Sequence, residues 1–236
     1  MWRADSENQE IVHSLILIRN IITTQDGSTT IYLPEWEEHY HSKHGAIQEA
    51  LHVFIKNGLS ALPKKEITIL EIGFGTGLNA FVTFLEAKKN NLTIDYVGVE
   101  AYPMATEEVL QMNYVSELNA ENESAIFQKM HDSDWNERIE LANSFNLTKR
   151  KQFFDEITDI EQFDIIYFDA FGYRVQPELW STAIFKKMYE ALKINGILVT
   201  YAARGVVKRS MIEVGFTVEK LPGAPGKREM FRARKQ

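Results

Sequence analysis

Residues Ile67–Gly77 read ITILEIGFGTG. An apolar, β-branched run stops on Glu71. Glycines then follow at alternate positions, Gly73, Gly75 and Gly77, with Phe74 between the first two. Glycine lets the backbone take φ > 0 and approach a ligand with no Cβ in the way. Beyond the turn, Phe81, Phe84 and Leu85 share one face of a predicted helix, Leu78–Lys89. A strand, a glycine turn and a helix in that order cradle an adenosine-bearing cofactor at the carboxyl edge of a parallel sheet.

The next strand narrows the choice of cofactor. Ile94–Glu100 (IDYVGVE) ends on an acid placed to accept hydrogen bonds from a ribose diol. The dinucleotide pattern G-x-G-x-x-G is not met, because its third glycine falls on Leu78 or Ala80. No G-x-x-x-x-G-K-[ST] phosphate loop occurs either. A carboxylate, Glu71, two residues before the first glycine suits a ligand with a cationic amino-acid end, which is S-adenosylmethionine (SAM). A plain structural βαβ turn is the alternative, and it leaves Glu71 and Glu100 without a purpose.

Outward from this unit the pattern alternates. Ser14–Ile22 and Thr29–Leu33 flank the turn pair Asp26-Gly27, a hairpin, and Ala46–Leu59 has helical spacing. Residues 1–60 are therefore an expected hairpin-plus-helix extension on a domain spanning 61–236. A helix is predicted from Pro103 to about Val115, another around Asn136–Ala142, and a strand near Leu147–Phe153. Phe163–Asp169 (FDIIYFD) is a strand apolar enough to be buried on both faces. A helix (Pro177–Leu192), a strand (Gly196–Tyr201) and a helix (Arg204–Val214) follow, and Phe216–Leu221 with Glu229–Ala233 form an antiparallel pair. The fold class is α/β, a doubly wound sheet with an antiparallel edge strand.

At 236 residues and 44% hydrophobic content the chain can bury a core without staples. It has no cysteine, which excludes disulfides, thiol nucleophiles and Cys-based zinc sites. The start, MWRADSENQE, lacks the apolar run of a signal peptide, and no span of about 20 apolar residues occurs. A cytoplasmic protein with no membrane association is expected. The net charge of −7 is uneven: residues 204–236 carry nine Lys/Arg against three Asp/Glu, and the rest carries 17 against 30. A basic tail on an acidic body can hold phosphates locally. A solvated C-terminal face explains the same charge count.

Ligands meet such a sheet at its strand ends, and Glu71, Glu100 and Asp169 all lie there. Asp169 opens the run DAFGYRVQPELW and can take the proton released by a methylated amine; as a capping aspartate it would not. Tyr173, Pro177 and Trp180 are candidates to wall an acceptor pocket, or, for Trp180, to anchor the core. Lys208, Arg209, Lys227, Arg228, Arg232 and Arg234 are the phosphate candidates, and strand alternation puts Arg228, Met230, Arg232 and Arg234 on one side. His39, His41, His44 and His52 lack metal-ligand spacing, so no metal is expected. Tyr40, His41 and Ser42 are expected to cap the first helix or line the pocket rim.

The blocks DGSTTIYLPEWEEHYHSKHGA (Asp26–Ala46), EIGFGTGLN (Glu71–Asn79), DAFGYRVQPELW (Asp169–Trp180), TYAARGVVKRSMIEVGF (Thr200–Phe216) and PGAPGKREM (Pro222–Met230) together resemble the methyltransferase domain of the MnmC family. The resemblance implies a Rossmann-like, class I SAM-dependent enzyme. Its implied reaction is methylation of the aminomethyl nitrogen of 5-aminomethyl(-2-thio)uridine at the tRNA wobble position. It puts Asp169 at the catalytic carboxylate and Lys227 and Arg228 in a substrate-side loop. Bifunctional members add a flavin-dependent oxidase domain. The chain is therefore expected to be a stand-alone methyltransferase, fed by upstream tRNA-modifying enzymes. Relatives carry an adenine-contacting acid after the strand near Leu147; here KRKQFFDE offers Gln152 or Asp155.

Polyamine aminopropyltransferases pair a similar hairpin with this fold, but their glycine turn is more acidic (GGGDG against GFGTG) and they lack the basic C-terminus. A non-catalytic tRNA-binding module on the same scaffold is the other competing reading. It leaves the intact Glu71, Gly73, Gly75, Glu100 and Asp169 without a role.

Overall fold

The computed structural model describes residues 18–236. The start of the expected first strand, residues 14–17, lies outside the described residues. The hairpin itself is present: β1 (Asn20–Thr23) pairs antiparallel with β2 (Thr29–Leu33), and β3 (Glu38–His39) adds a third short strand. Asp26 holds the turn by accepting from the Thr24 hydroxyl at 2.7 Å and the Ser28 amide at 3.1 Å. Helix α1 (Ala46–Ala50) runs directly into a π-helical segment, Leu51–Lys56.

The main sheet contains β4 (Glu66–Ile72), β5 (Thr93–Glu100), β6 (Arg138–Ala142), β7 (Phe145–Lys151), β8 (Phe163–Phe168), β9 (Leu192–Thr200), β10 (Thr217–Pro222) and β11 (Glu229–Arg234). Their spatial order is β10-β11-β9-β8-β4-β5-β7-β6, with the five central strands parallel. All six residues of β8 are buried, as its apolar run predicts. Two strands run antiparallel to these five: β11, one place in from one edge with β10 outside it, and β6 at the opposite edge.

Helices cover both faces. On one side lie α1, α2 (Leu78–Asn90) and the two short helices α3 (Thr106–Val109) and α4 (Tyr114–Glu117), followed by α5 (Ser124–Asp132). On the other lie α6 (Thr182–Ala191) and α7 (Gly205–Glu213). Period-two alternation divides the strand side chains between two cores. Ile69 and Tyr167 join the first, Leu70, Ile166 and Phe168 the second. Ile31, Leu33, Val53 and Phe54 of the extension belong to the first core, so the extension packs as part of the same body.

Three local expectations differ. Residues 138–142 form an edge strand and not a helix. Asn136 and Ser144 take positive φ at its two ends, and Ile139 pairs with Leu147 across the ladder. The helix lies earlier, at α5, where Phe127 and Met130 turn inward. The expected helix from Pro103 is broken at Asn113. The Asn113 side chain is spent on the hairpin, accepting from the Thr29 amide at 2.7 Å and donating to the Gly27 carbonyl at 2.9 Å. The helix predicted from Pro177 begins as a single 3₁₀ turn, Pro177–Trp180, and restarts at Ser181, whose hydroxyl accepts from the Ile184 amide.

Candidate active site

The chain order reverses between β4 and β8, and a cavity of about 710 Å³ opens at the carboxyl ends of β4, β5 and β8. That is where open α/β sheets bind ligands, and the volume falls in the range of about 300–1,000 Å³ typical of small-molecule sites. Gly73 follows β4 at φ 92°. A Cβ there would stand 2.7 Å from the Asp169 carbonyl oxygen, so only glycine lets the two strand ends meet. Gly98 plays the matching part on β5: its missing side chain is filled by the Phe74 ring, which a Cβ would approach to 2.4 Å. Gly73, Phe74 and Gly75 line the cavity; Gly77, in front of α2, does not.

Glu100 ends β5 at the cavity wall. Its carboxylate accepts the Gly75 amide and the Tyr102 amide, both at 3.0 Å, so it is aimed before any ligand arrives. Each oxygen keeps a lone pair for a hydroxyl. After β7, Asp155 lines the cavity and Gln152 does not; the backbone N–H of Gln152 donates to the Glu100 carbonyl. Tyr102 and Phe153 meet edge-to-face at 5.9 Å beside it.

Asp169 follows β8, half-buried and facing the cavity. Asn79, from the first turn of α2, donates its Nδ2 to Asp169 at 2.8 Å and to Glu71 at 2.9 Å. Burial pushes the Asp169 carboxyl up to about 7. Glu49 adds to the rise, and the Asn79 hydrogen bond and Lys227 oppose it. Glu71 has no exposed surface and does not line the cavity. Burial holds its carboxyl well above the usual range, which favours the neutral acid. It therefore reaches the cavity only through Asn79, unlike the open, ammonium-binding carboxylate expected from the sequence.

The extension supplies a wall. Trp36 and Tyr40 stand edge-to-face on Phe171 at 5.4 and 5.0 Å, and all three line the cavity with His41. Burial brings the His41 imidazole down to about 4, so it is neutral near pH 7. Arg19 straps this wall to the rim, donating to Glu108 at 2.9 Å and to the Tyr102 carbonyl at 3.1 Å. The Ser42 amide donates to Glu49.

Several expected residues lie elsewhere. Trp180 is fully buried, with its indole N–H on the Phe171 carbonyl, and is a core anchor. Tyr173 is outside the cavity, with the Arg204 guanidinium over its ring. Lys227 is half-buried and its charge is matched: it pairs with Glu49 over the Tyr201 ring. Arg232 pairs with Glu219, and Arg234 donates to the Asn195 carbonyl. Arg209 and Arg228 are exposed and Lys208 is half-buried; Lys208, Lys220 and Arg228 gather around Glu229. The sequence reading missed Asn79, Arg19, Trp36 and Tyr201. Only Asn79 left a local trace, a polar residue in the first turn of an otherwise apolar helix start.

The glycine cradle, the aimed Glu100 and the cavity size fit SAM. Among the described residues no group of three or more His, Asp or Glu could hold a metal, and no helix is long and apolar enough to cross a membrane.

Comparison with known proteins agrees with this architecture. A family profile described as S-adenosyl-L-methionine-dependent methyltransferase matches residues 113–236, and the chain belongs to that family. Within it the MnmC resemblance holds. The bifunctional tRNA 5-methylaminomethyl-2-thiouridine biosynthesis protein MnmC of Burkholderia thailandensis is 28% identical over 92% of this chain and 35% of its own length. The MnmC of a Marinomonas species is 30% identical over 83% of this chain and 31% of its own. The chain thus spans about a third of the length of the curated relatives it matches. Among solved structures, MnmC2 from Aquifex aeolicus superimposes with a TM-score of 0.75, at 22% identity over 100% of this chain and 78% of that one. Spermidine synthase from Thermotoga maritima reaches 0.53 at 12% identity, over 93% of this chain and 72% of that one. Both share the fold.

Proposed function

We propose that the chain transfers a methyl group from SAM to the exocyclic aminomethyl nitrogen of 5-aminomethyl(-2-thio)uridine at the wobble position of tRNA. The observation that carries the reading is Asp169, a cavity-facing carboxyl pushed up to about 7 at the strand end. An alkylammonium must lose a proton before its nitrogen can attack. An ordinary carboxylate would pair with that ammonium and stabilise the unreactive form, whereas one with raised proton affinity can take the proton. The names of the MnmC relatives support the acceptor.

When bound, SAM supplies an electrophilic methyl on a positive sulfur. The backbone of Gly73 and Gly75 receives its amino-acid end, Glu100 its ribose diol and Asp155 its adenine edge. Asp169 accepts the acceptor's proton while Asn79 fixes the orientation of the carboxyl. Trp36, Tyr40 and Phe171 exclude water and offer ring faces to the base. Exposed Arg209 and Arg228, with Lys208, meet the RNA backbone. The aminomethyl group is made beforehand by upstream tRNA-modifying enzymes, and the reaction is cytoplasmic.

The test is mass spectrometry of wobble nucleosides after incubating the protein and SAM with tRNA bearing aminomethyl-uridine. A gain of one methyl on that base supports the reading. No gain while calorimetry still registers SAM binding overturns the acceptor, and turnover of a polyamine would then replace it.

A further inference from the structure

Glu49 and Lys227 come from opposite ends of the chain and meet beside the cavity. The Glu49 side chain is 7% exposed and that of Lys227 30%. Lys227 Nζ donates to Glu49 Oε1, and Glu49 Oε2 accepts the Ser42 amide at 2.8 Å. The same ammonium lies 3.7 Å from the centre of the Tyr201 ring. Tyr201 lines the cavity and donates its hydroxyl at 2.8 Å to the carbonyl of Ala170, the residue after Asp169. Glu49 and Lys227 do not themselves line the cavity, but Tyr201 contacts both the ion pair and the segment that carries Asp169.

The loop that carries Lys227 is held against the extension. A Cβ on Gly226 would come within 2.0 Å of the His44 ring, and His52 Nε2 donates to the Pro222 carbonyl at 2.8 Å. Opposite charges fixed in a poorly hydrated place act on a neighbouring ionisable group in opposite senses, and more strongly than in water. The other groups facing Asp169 are Asn79 from α2, Glu71 from β4, Tyr96 beyond it on β5, and Tyr201 just after β9. Of these only Asn79 makes a hydrogen bond to the carboxyl.

We propose that Glu49 and Lys227 are positioning residues that set the proton affinity of Asp169, the carboxylate raising it and the ammonium lowering it. The inference rests on the reading of Asp169 as the proton acceptor. It also explains why a lysine in the basic tail is turned inward.

The test uses the full chain with Glu49→Gln, Lys227→Met and both together. The Asp169 carboxyl is titrated by NMR in protein carrying ¹³C-labelled aspartate, its signal assigned by its disappearance in Asp169→Asn. The midpoint falls by about half a unit or more in Glu49→Gln and rises in Lys227→Met. It returns close to the parent value in the double variant, which buries a neutral pair and guards against misfolding of the single ones. The acid limb of kcat moves with it. A midpoint that does not fall in Glu49→Gln, or that falls in both single variants, overturns the proposal and leaves the pair as a structural strap. The titration needs no acceptor, so opposed shifts in a protein inert toward aminomethyl-uridine would uphold the tuning and remove only the substrate.

Discussion

Asn79 and Asp169 are 90 positions apart in the chain and 2.8 Å apart in space, the amide Nδ2 donating to the carboxyl. Because the same amide also donates to Glu71 at 2.9 Å, one neutral side chain fixes the geometry of two carboxyls at adjacent strand ends. A hydrogen bond to a charged, desolvated group is worth about 1.5–3 kcal/mol. Asn79→Ala removes it from the ionised form of Asp169, so the acid limb of kcat moves alkaline by about one unit. A pH–rate profile checks this, and an unmoved limb would make Asn79 a mere spacer.

Asp169→Asn keeps the shape and removes the proposed proton acceptor. SAM affinity by calorimetry should stay within about threefold, while turnover drops by about 10²–10⁴. In the parent enzyme, turnover should rise with pH through about 7 as Asp169 loses its proton. Normal turnover in the variant would take Asp169 out of the chemistry.

Gly73→Ala sets a side chain at φ 92° against the Asp169 carbonyl. Backbone strain of this kind costs about 1–3 kcal/mol. Thermal unfolding should show the destabilisation, and SAM binding should weaken with it because the strand ends are pushed apart. An unchanged melting temperature would mean the loop relaxes freely.

Asp164 lies far from the cavity and governs acid stability. Its burial works to raise the carboxyl, but hydrogen bonds from Lys64, the Thr68 amide, Lys193 and the Thr68 hydroxyl hold it at about 2. A carboxyl whose folded value is lowered stabilises the fold above its unfolded value, and the benefit disappears as pH falls through about 2. Asp164→Asn should therefore cost about 2–3 kcal/mol at neutral pH. The gap to the parent should close between about pH 5 and 2. Urea unfolding across that range measures it, and a gap independent of pH would contradict the assignment.

On the RNA side, Lys208→Ala with Arg228→Ala should lower the salt dependence of tRNA binding by about one unit of slope for each phosphate that is no longer neutralised. Lys227→Ala should leave the slope alone, since its charge is already matched by Glu49. An equal effect from Lys227 would place it on the RNA.

Much of the scaffold was legible because it rests on local pattern. FDIIYF reads as a strand buried on both faces, and the positive φ at Gly73, Gly75 and Gly77 follows from three alternating glycines. Residues 136–142 misled because a short amphipathic run of this composition suits a helix or an edge strand equally, and pairing with β7 decided it. Asn113 broke a helix through hydrogen bonds to residues 84 and 86 positions away, which no local window contains.

The chain's own order of residues determined the α/β class, the glycine cradle, and the placing of Glu100 and Asp169 at strand ends, because these depend on neighbours within a few positions. Tertiary structure alone decided which charges are free and which are spent. It sealed Glu71 behind Asn79, buried Trp180, and turned Lys227 inward onto Glu49, 178 positions away. The physical reason is that proton affinity and charge availability depend on burial and on partners brought together by the fold, and neither is a property of a residue's neighbours in sequence.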